Sequence, residues 1–174
     1  MKSLFRVLLC LIALCVTLAS VSCIGQSVHD YSGDERFAAL FADGDNASVK
    51  ELKNVIIAHI EAFNAGNAEE YFSLFGMERD DLNFNIAQFQ SMRVSYTLTN
   101  TIESIHTAFI NEDNAQALIT MTCRCVNKET GEVAYYYRTE LTYTLVRDGK
   151  WTVTLQDQGQ EDDLMYLETE AEAK

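Results

Sequence analysis

Residues 48–64 constrain this chain more than any other stretch. They read Ser-Val-Lys-Glu-Leu-Lys-Asn-Val-Ile-Ile-Ala-His-Ile-Glu-Ala-Phe-Asn. Val49, Leu52, Val55, Ile56, Ile60 and Phe63 recur at helical spacing and make one wide apolar stripe. Ser48 and Glu51 form a capping box at its start, and Gly66 supplies the left-handed residue that stops it. A stripe this wide needs a large partner surface, and the second half of the chain provides one. Four β-patterned runs, roughly 94–110, 115–126, 133–146 and 151–157, follow one another with no helix between them. Two shorter helical segments precede them. One runs from Asn67 and Glu70, which repeat the capping pattern, to Gly76; the other starts at Asp80 and Asp81 and turns Leu82, Ile86 and Phe89 inward. Helices first and strands after is the order of an α+β domain. The expected architecture is three N-terminal helices packed on a four-stranded antiparallel sheet.

Alternation predicts which strand residues face those helices. In the third run Val133, Tyr135, Tyr137, Leu141, Tyr143 and Leu145 form the buried set. Trp151, Val153 and Leu155 of the last run must share their face, which favours a three-residue loop, Arg147-Asp148-Gly149, pairing Leu145 with Trp151. The same alignment carried to the other strands predicts a row His106, Ile119, Thr139, Asp157, and beside it Ser104, Met121, Tyr137 and Ile102, Cys123, Tyr135. The outward set then includes Ile105, Phe109, Leu118, Tyr136 and Val146.

The N-terminus predicts export. Lys2 and Arg6 precede an apolar run over Val7–Ala19 that ends in small residues, the layout of a secretory signal peptide rather than a lasting membrane span. Cys23 after Ser22 resembles the lipobox cysteine of bacterial lipoproteins, which implies lipidation at Cys23 and attachment to the outer side of the cell membrane. The pattern departs from the family at Ser20 and Val21, and simple secretion is the alternative. The expected division is a signal peptide over 1–22, a polar tether over 23–47, a folded domain over 48–158 and an acidic tail over 159–174. Asn46-Ala47-Ser48 matches a glycosylation acceptor but reads as a helix cap beside such a signal.

Charge narrows the partners. The 174 residues hold 13 Lys and Arg against 26 Asp and Glu, a formal net charge of −13. Such a surface repels phosphate backbones, so nucleic acid is not an expected partner. Of the five cysteines, Cys10 and Cys15 leave with the leader. Cys123 and Cys125 face the same way on one strand about 6.6 Å apart, at the far edge of what a disulfide spans. They read as free buried thiols, and neither a metal nor a cofactor is expected.

The run Ala62-Phe63-Asn64-Ala65-Gly66-Asn67-Ala68-Glu69-Glu70-Tyr71 closing a long helix, with a hairpin sheet ending Arg147-Asp148-Gly149-Lys150-Trp151, resembles the nuclear-transport-factor-2-like (cystatin-like) superfamily over about residues 48–158. The resemblance implies a cone of helices on a curved sheet around an internal pocket, often paired through the sheet. It is nearly silent on function; the superfamily holds enzymes such as ketosteroid isomerases and many exported lipoproteins of unknown role.

The candidate ligand pocket comprises His59, Ser104, His106, Met121, Cys123, Tyr135, Tyr137 and Asp157. A general base needs a partner within about 3 Å, and His106 and Asp157 lie three strands, about 14 Å, apart in this register. No Ser-His-Asp spacing, phosphate loop or metal motif occurs. The expected function is an exported, lipid-anchored, non-catalytic domain that binds a small apolar or amphipathic ligand or serves as an accessory module. The alternative is a small lyase or isomerase using a pocket His or Asp with a tyrosine. The outward residues Ile105, Phe109, Leu118, Tyr136 and Val146 suggest a homodimer contact.

Overall fold

In the computed structural model, which describes residues 29–76 and 79–165, three helices pack on one sheet. The helices are α1 (Ala47–Ala65), α2 (Ala68–Ser73) and α3 (Arg79–Ser95). The strands are β1 (Tyr96–Asn111), β2 (Asn114–Asn127), β3 (Val133–Asp148) and β4 (Lys150–Asp163), antiparallel in the order β1-β2-β3-β4. The α+β architecture expected from the sequence is therefore the one observed. The leader, Cys23 and the chain beyond residue 165 lie outside the described residues.

Helix α1 begins two residues earlier than a capping box on Ser48 implies. Asn46 is its N-cap, and the Asn46 Oδ1 accepts from the Val49 N–H at 3.0 Å. Gly66 (φ 77°) ends it, donating its N–H to the Phe63 and Ala62 carbonyls. Leu52, Ile56, Ile57 and Ile60 are buried along its sheet-facing side, against Ile105, Ala117, Ile119, Leu141, Tyr143 and Leu145. Ala115 and Ala117 have no side chain beyond Cβ, so the helix axis can approach β2 closely there.

The stretch expected to be a tether is not one from residue 29 onward. Tyr31, Phe37 and Phe41 pack against the core and Leu40 is part of it. Burying apolar side chains stabilises by about 1.5–3 kcal/mol each when complete, enough to hold a short segment. Its polar groups are held too. Lys53 Nζ donates to Asp45 Oδ2 at 2.6 Å and to the Leu40 carbonyl at 2.8 Å, and Asn54 Oδ1 accepts from the Tyr31 N–H at 3.0 Å. Lys53 and Asn54 are buried as a result, on a side of α1 that the apolar pattern leaves to solvent. The acidic tail is likewise shorter than expected, since β4 continues to Asp163 and pairs it with Tyr137.

The sheet is interrupted by bulges, and these overturn part of the expected register. β1 slips between Ile102 and Ser104, and β4 slips opposite Thr144/Leu145 and again opposite Thr139/Leu141. A bulge puts two residues against one, bends the strand and reverses the alternation beyond it. Ile105 and Phe109, expected outward, therefore face inward: Ile105 is buried, and the Phe109 ring stands edge-on to Trp151 at 6.1 Å. Ser104 and His106 turn outward, opposite Thr120 and Leu118. Leu155 and Asp157 turn outward as well, opposite Thr144 and Thr142. Elsewhere the faces stand while the partners move along by two residues: Trp151 pairs with Arg147, Cys123 with Tyr137 and Cys125 with Tyr135.

Candidate functional site

The open end of the cone holds a cavity of about 180 Å³. Ile60 and Phe63 of α1 and Tyr71 of α2 roof it, and Leu98 and Asn100 of β1 form one side. Met121 and Cys123 of β2, Tyr135, Tyr137 and Thr139 of β3, and Gln156 and Gln158 of β4 complete it. The roof is fixed by Asn64. Its Nδ2 donates to the Asn100 carbonyl and its Oδ1 accepts from the Asn100 N–H, both at 2.8 Å, so the side-chain amide joins α1 to β1 like one more rung of the sheet. Arg93 stacks over Phe63 and Phe89 and donates to the Phe63 carbonyl, placing a cation at the α1 C-terminus, where the helix dipole favours it.

Four of the eight expected pocket residues line this cavity: Met121, Cys123, Tyr135 and Tyr137. Ser104, His106 and Asp157 do not, because the bulges put them on the opposite sheet face. His59 stands behind the wall rather than in it. Its ring stacks on Tyr71 at 4.2 Å and meets Phe75 and Tyr143 edge-on. Neither ring nitrogen makes a hydrogen bond of normal geometry. Burial pushes its pKa down to about 3, opposed in part by the Tyr71 backbone, so the ring is neutral. No two of His59, His106 and Asp157 share a site, and none of the three lines the cavity.

The walls are electrically quiet. Burial is the main cause that raises the hydroxyls of Tyr71 and Tyr135 to about 12 and that of Tyr137 higher still, and it raises the Cys123 thiol. All are protonated at neutral pH. Arg124 also borders the cavity, but alternation between Cys123 and Cys125 sends its side chain toward the outer face. Thr139 Oγ1 is buried without a hydrogen-bond partner in the cavity wall, and a buried hydroxyl left unpaired costs about 1–3 kcal/mol. Among the described residues no three His, Cys, Asp or Glu side chains gather to hold a metal ion.

Among the lining residues that sequence reasoning missed, the polar neutral ones are Asn100, Thr139, Gln156 and Gln158, with Glu161 nearby. Gln158 donates to Glu161, whose charge helps to raise Tyr137 and Cys123. Gln156 and Gln158 face inward only because β4 is bulged, so alternation read from Trp151 hides them.

A family model described as the C-terminal domain of the anti-sigma-I factor RsgI9 matches residues 54–160. Among solved structures, an uncharacterized protein with a cystatin-like fold from Caulobacter vibrioides is 17% identical (TM-score 0.52), covering 71% of this chain and 96% of its own. A ketosteroid isomerase-like protein from Erwinia carotovora atroseptica is 16% identical (TM-score 0.50), covering 67% and 99%. A candidate scytalone dehydratase from Novosphingobium aromaticivorans is 11% identical (TM-score 0.54), covering 66% and 85%. Identities this low speak to fold alone, and the fold is the nuclear-transport-factor-2-like, cystatin-like cone. No curated protein matches. Because the family match spans more than half of the 174 residues, this chain belongs to the family of the anti-sigma-I factor RsgI9 C-terminal domain.

Proposed function

We propose that this chain is an exported domain, lipid-anchored through Cys23, that binds one small uncharged amphipathic ligand in its cavity and does not transform it. The observation that carries the reading is the wall chemistry. Tyrosine rings offer apolar faces, while Asn100, Thr139, Gln156 and Gln158 offer neutral donors and acceptors. Such walls orient a ligand without supplying an ionised base. At about 30 Å³ per water, 180 Å³ is the space of roughly six waters, so the ligand, or the part of it that enters, is small. The family's description names the C-terminal domain of an anti-sigma factor, and binding without turnover suits an accessory domain of a regulator. The same reading includes pairing of two copies through the outer sheet face, where Leu118 and Leu155 are 38% and 52% exposed and which also carries Tyr136 and Val146.

Native mass spectrometry of the purified protein tests the ligand, by the mass that accompanies it. Tyr137→Phe keeps the ring and removes one hydroxyl, so affinity for that ligand should fall by about 0.5–1.5 kcal/mol, the net worth of one hydrogen bond, with folding unchanged. Binding as tight as wild type places the ligand elsewhere. For the anchor, Cys23→Ala should release the protein from the membrane fraction; unchanged fractionation and mass sink lipidation.

A further inference from the structure

Three sulfur-bearing residues follow one another on the inner face of β2. Met121, Cys123 and Cys125 occupy alternate positions and are 5%, 6% and 2% exposed, and both thiols are free. Neighbours on one face of a strand have Cα atoms about 6.7 Å apart and side chains that run parallel. A disulfide needs a sulfur separation near 2.04 Å and Cα atoms within about 6.8 Å whose side chains converge. That geometry suits this pair badly. A metal ion between the thiols relaxes the requirement, because two metal–sulfur bonds of about 2.3 Å allow the sulfurs to stand about 4.6 Å apart. A bridging ion therefore asks for much less convergence of the two side chains than a disulfide does.

The surroundings fit thiolate ligands. Tyr137 is opposite Cys123 and Tyr135 opposite Cys125. Each tyrosine is near enough to its opposite cysteine for their ionisations to act on one another. A phenol donating to a coordinated sulfur compensates its charge and fixes its direction, as outer-shell partners do in metal sites. Access exists from both sides. Cys123 borders the 180 Å³ cavity, and Cys125 borders a neighbouring one of about 340 Å³ beside the last turn of α3. Leu98 and Tyr135 belong to both.

We propose that Cys123 and Cys125 form a two-coordinate site for a soft monovalent metal cation of the Cu(I) class. Thiolate and thioether sulfur select such an ion over hard cations. Two protein thiolates satisfy its preference for low coordination, whereas a structural zinc site needs four ligands. Binding transfers no electrons: each ion taken up as Cu(I) displaces two thiol protons to solvent. Apparent affinity therefore rises with pH, by up to roughly a hundredfold per unit below the thiol pKa values.

The test is an anaerobic titration of the reduced full chain with Cu(I) buffered by bicinchoninate, beside the Cys123→Ser/Cys125→Ser double variant. Cys10, Cys15 and Cys23 are common to both proteins and cancel in the difference. The wild-type chain should take up one equivalent more than the double variant. Cys123→Ser or Cys125→Ser alone should each weaken that ion at least a hundredfold, whereas Met121→Leu should leave it unchanged. Thermal melting of the unaltered chain gives a readout that needs no variant, since an ion bound only by the folded domain raises the midpoint. Equal uptake by the two proteins overturns the site. So does a melting midpoint of the unaltered chain that one equivalent of Cu(I) leaves where it was.

Discussion

His59 is 3% exposed and ringed by Tyr71, Phe75 and Tyr143, and its ionisation couples folding to pH. Unfolded, its pKa is near 6.5; folded, burial holds it at about 3. Below pH 6.5 the unfolded chain takes up a proton that the folded chain refuses. Stability therefore falls as pH drops from about 6.5 toward 3, with a limiting slope of about 1.4 kcal/mol per unit. Asp30, Asp34 and Asp45, held below the usual carboxylate value of 3.8 by hydrogen bonds, withdraw their contributions only in more acid solution. Urea unfolding at pH 7, 6 and 5 should show the slope in the wild type. His59→Phe, which keeps a ring against Tyr71, should abolish it and leave stability at pH 7 equal or higher, since two unpaired buried nitrogens are removed. The same slope in both proteins would mean that another group titrates.

At the scale of elements, the segment before α1 and the bulges in β1 and β4 make the differences. The segment is held by two ion pairs of unequal worth. Lys53 and Asp45 have side chains 7% and 12% exposed and meet at 2.6 Å, so removing one partner strands a buried charge. Asp45→Ala should cost about 3 kcal/mol, the lower end for a broken buried pair, because Lys53 Nζ keeps the Leu40 carbonyl. Arg36 meets Asp34 within the segment and Glu61 of α1 across it, on the surface with a side chain 61% exposed, and Glu61→Ala should change stability little. Chemical denaturation of the two variants side by side checks the contrast. If they lose equally, the segment is not fastened where the contacts place it. Gly66 is the second element-scale test. Its positive φ makes Gly66→Ala cost about 1–2 kcal/mol, the penalty for a Cβ in a left-handed conformation.

For the whole molecule, the sheet divides its residues between a cavity and an outer face. The bulges redraw the outer patch: Ile105 and Phe109 leave it, Leu155 joins Leu118, Tyr136 and Val146, and His106 and Asp157 stand at opposite edges of one row with Leu118 and Thr142 between them. Under the proposed pairing, Tyr136→Glu should turn a dimer into a monomer in sedimentation, since it places a charge in an apolar contact. A wild-type protein that sediments as a monomer at high concentration removes the proposal.

The sequence by itself determined the order of elements, the left-handed stop at Gly66 and the face that Trp151, Val153 and Tyr143 occupy. Each rests on a local rule: helical spacing, the freedom of glycine, or two-residue alternation within an unbroken strand. It also made one part of the cavity legible, because Met121, Cys123, Tyr135 and Tyr137 lie on stretches where alternation holds. Tertiary structure alone decided the rest. The bulge beyond Ile102 and those in β4 reverse which side chains point inward, removing Ser104, His106 and Asp157 from the site and bringing in Gln156 and Gln158. The bulges beside Ile102 and Val153 contain no glycine and carry no local mark, whereas the one opposite Glu140 holds Gly159, where a Cβ would crowd the Glu140 carbonyl, a signal that alternation alone does not read. The fate of residues 29–46 was decided in the same way. Four apolar side chains scattered through a polar stretch look like a tether until α1 presents Lys53 and Asn54 to hold them.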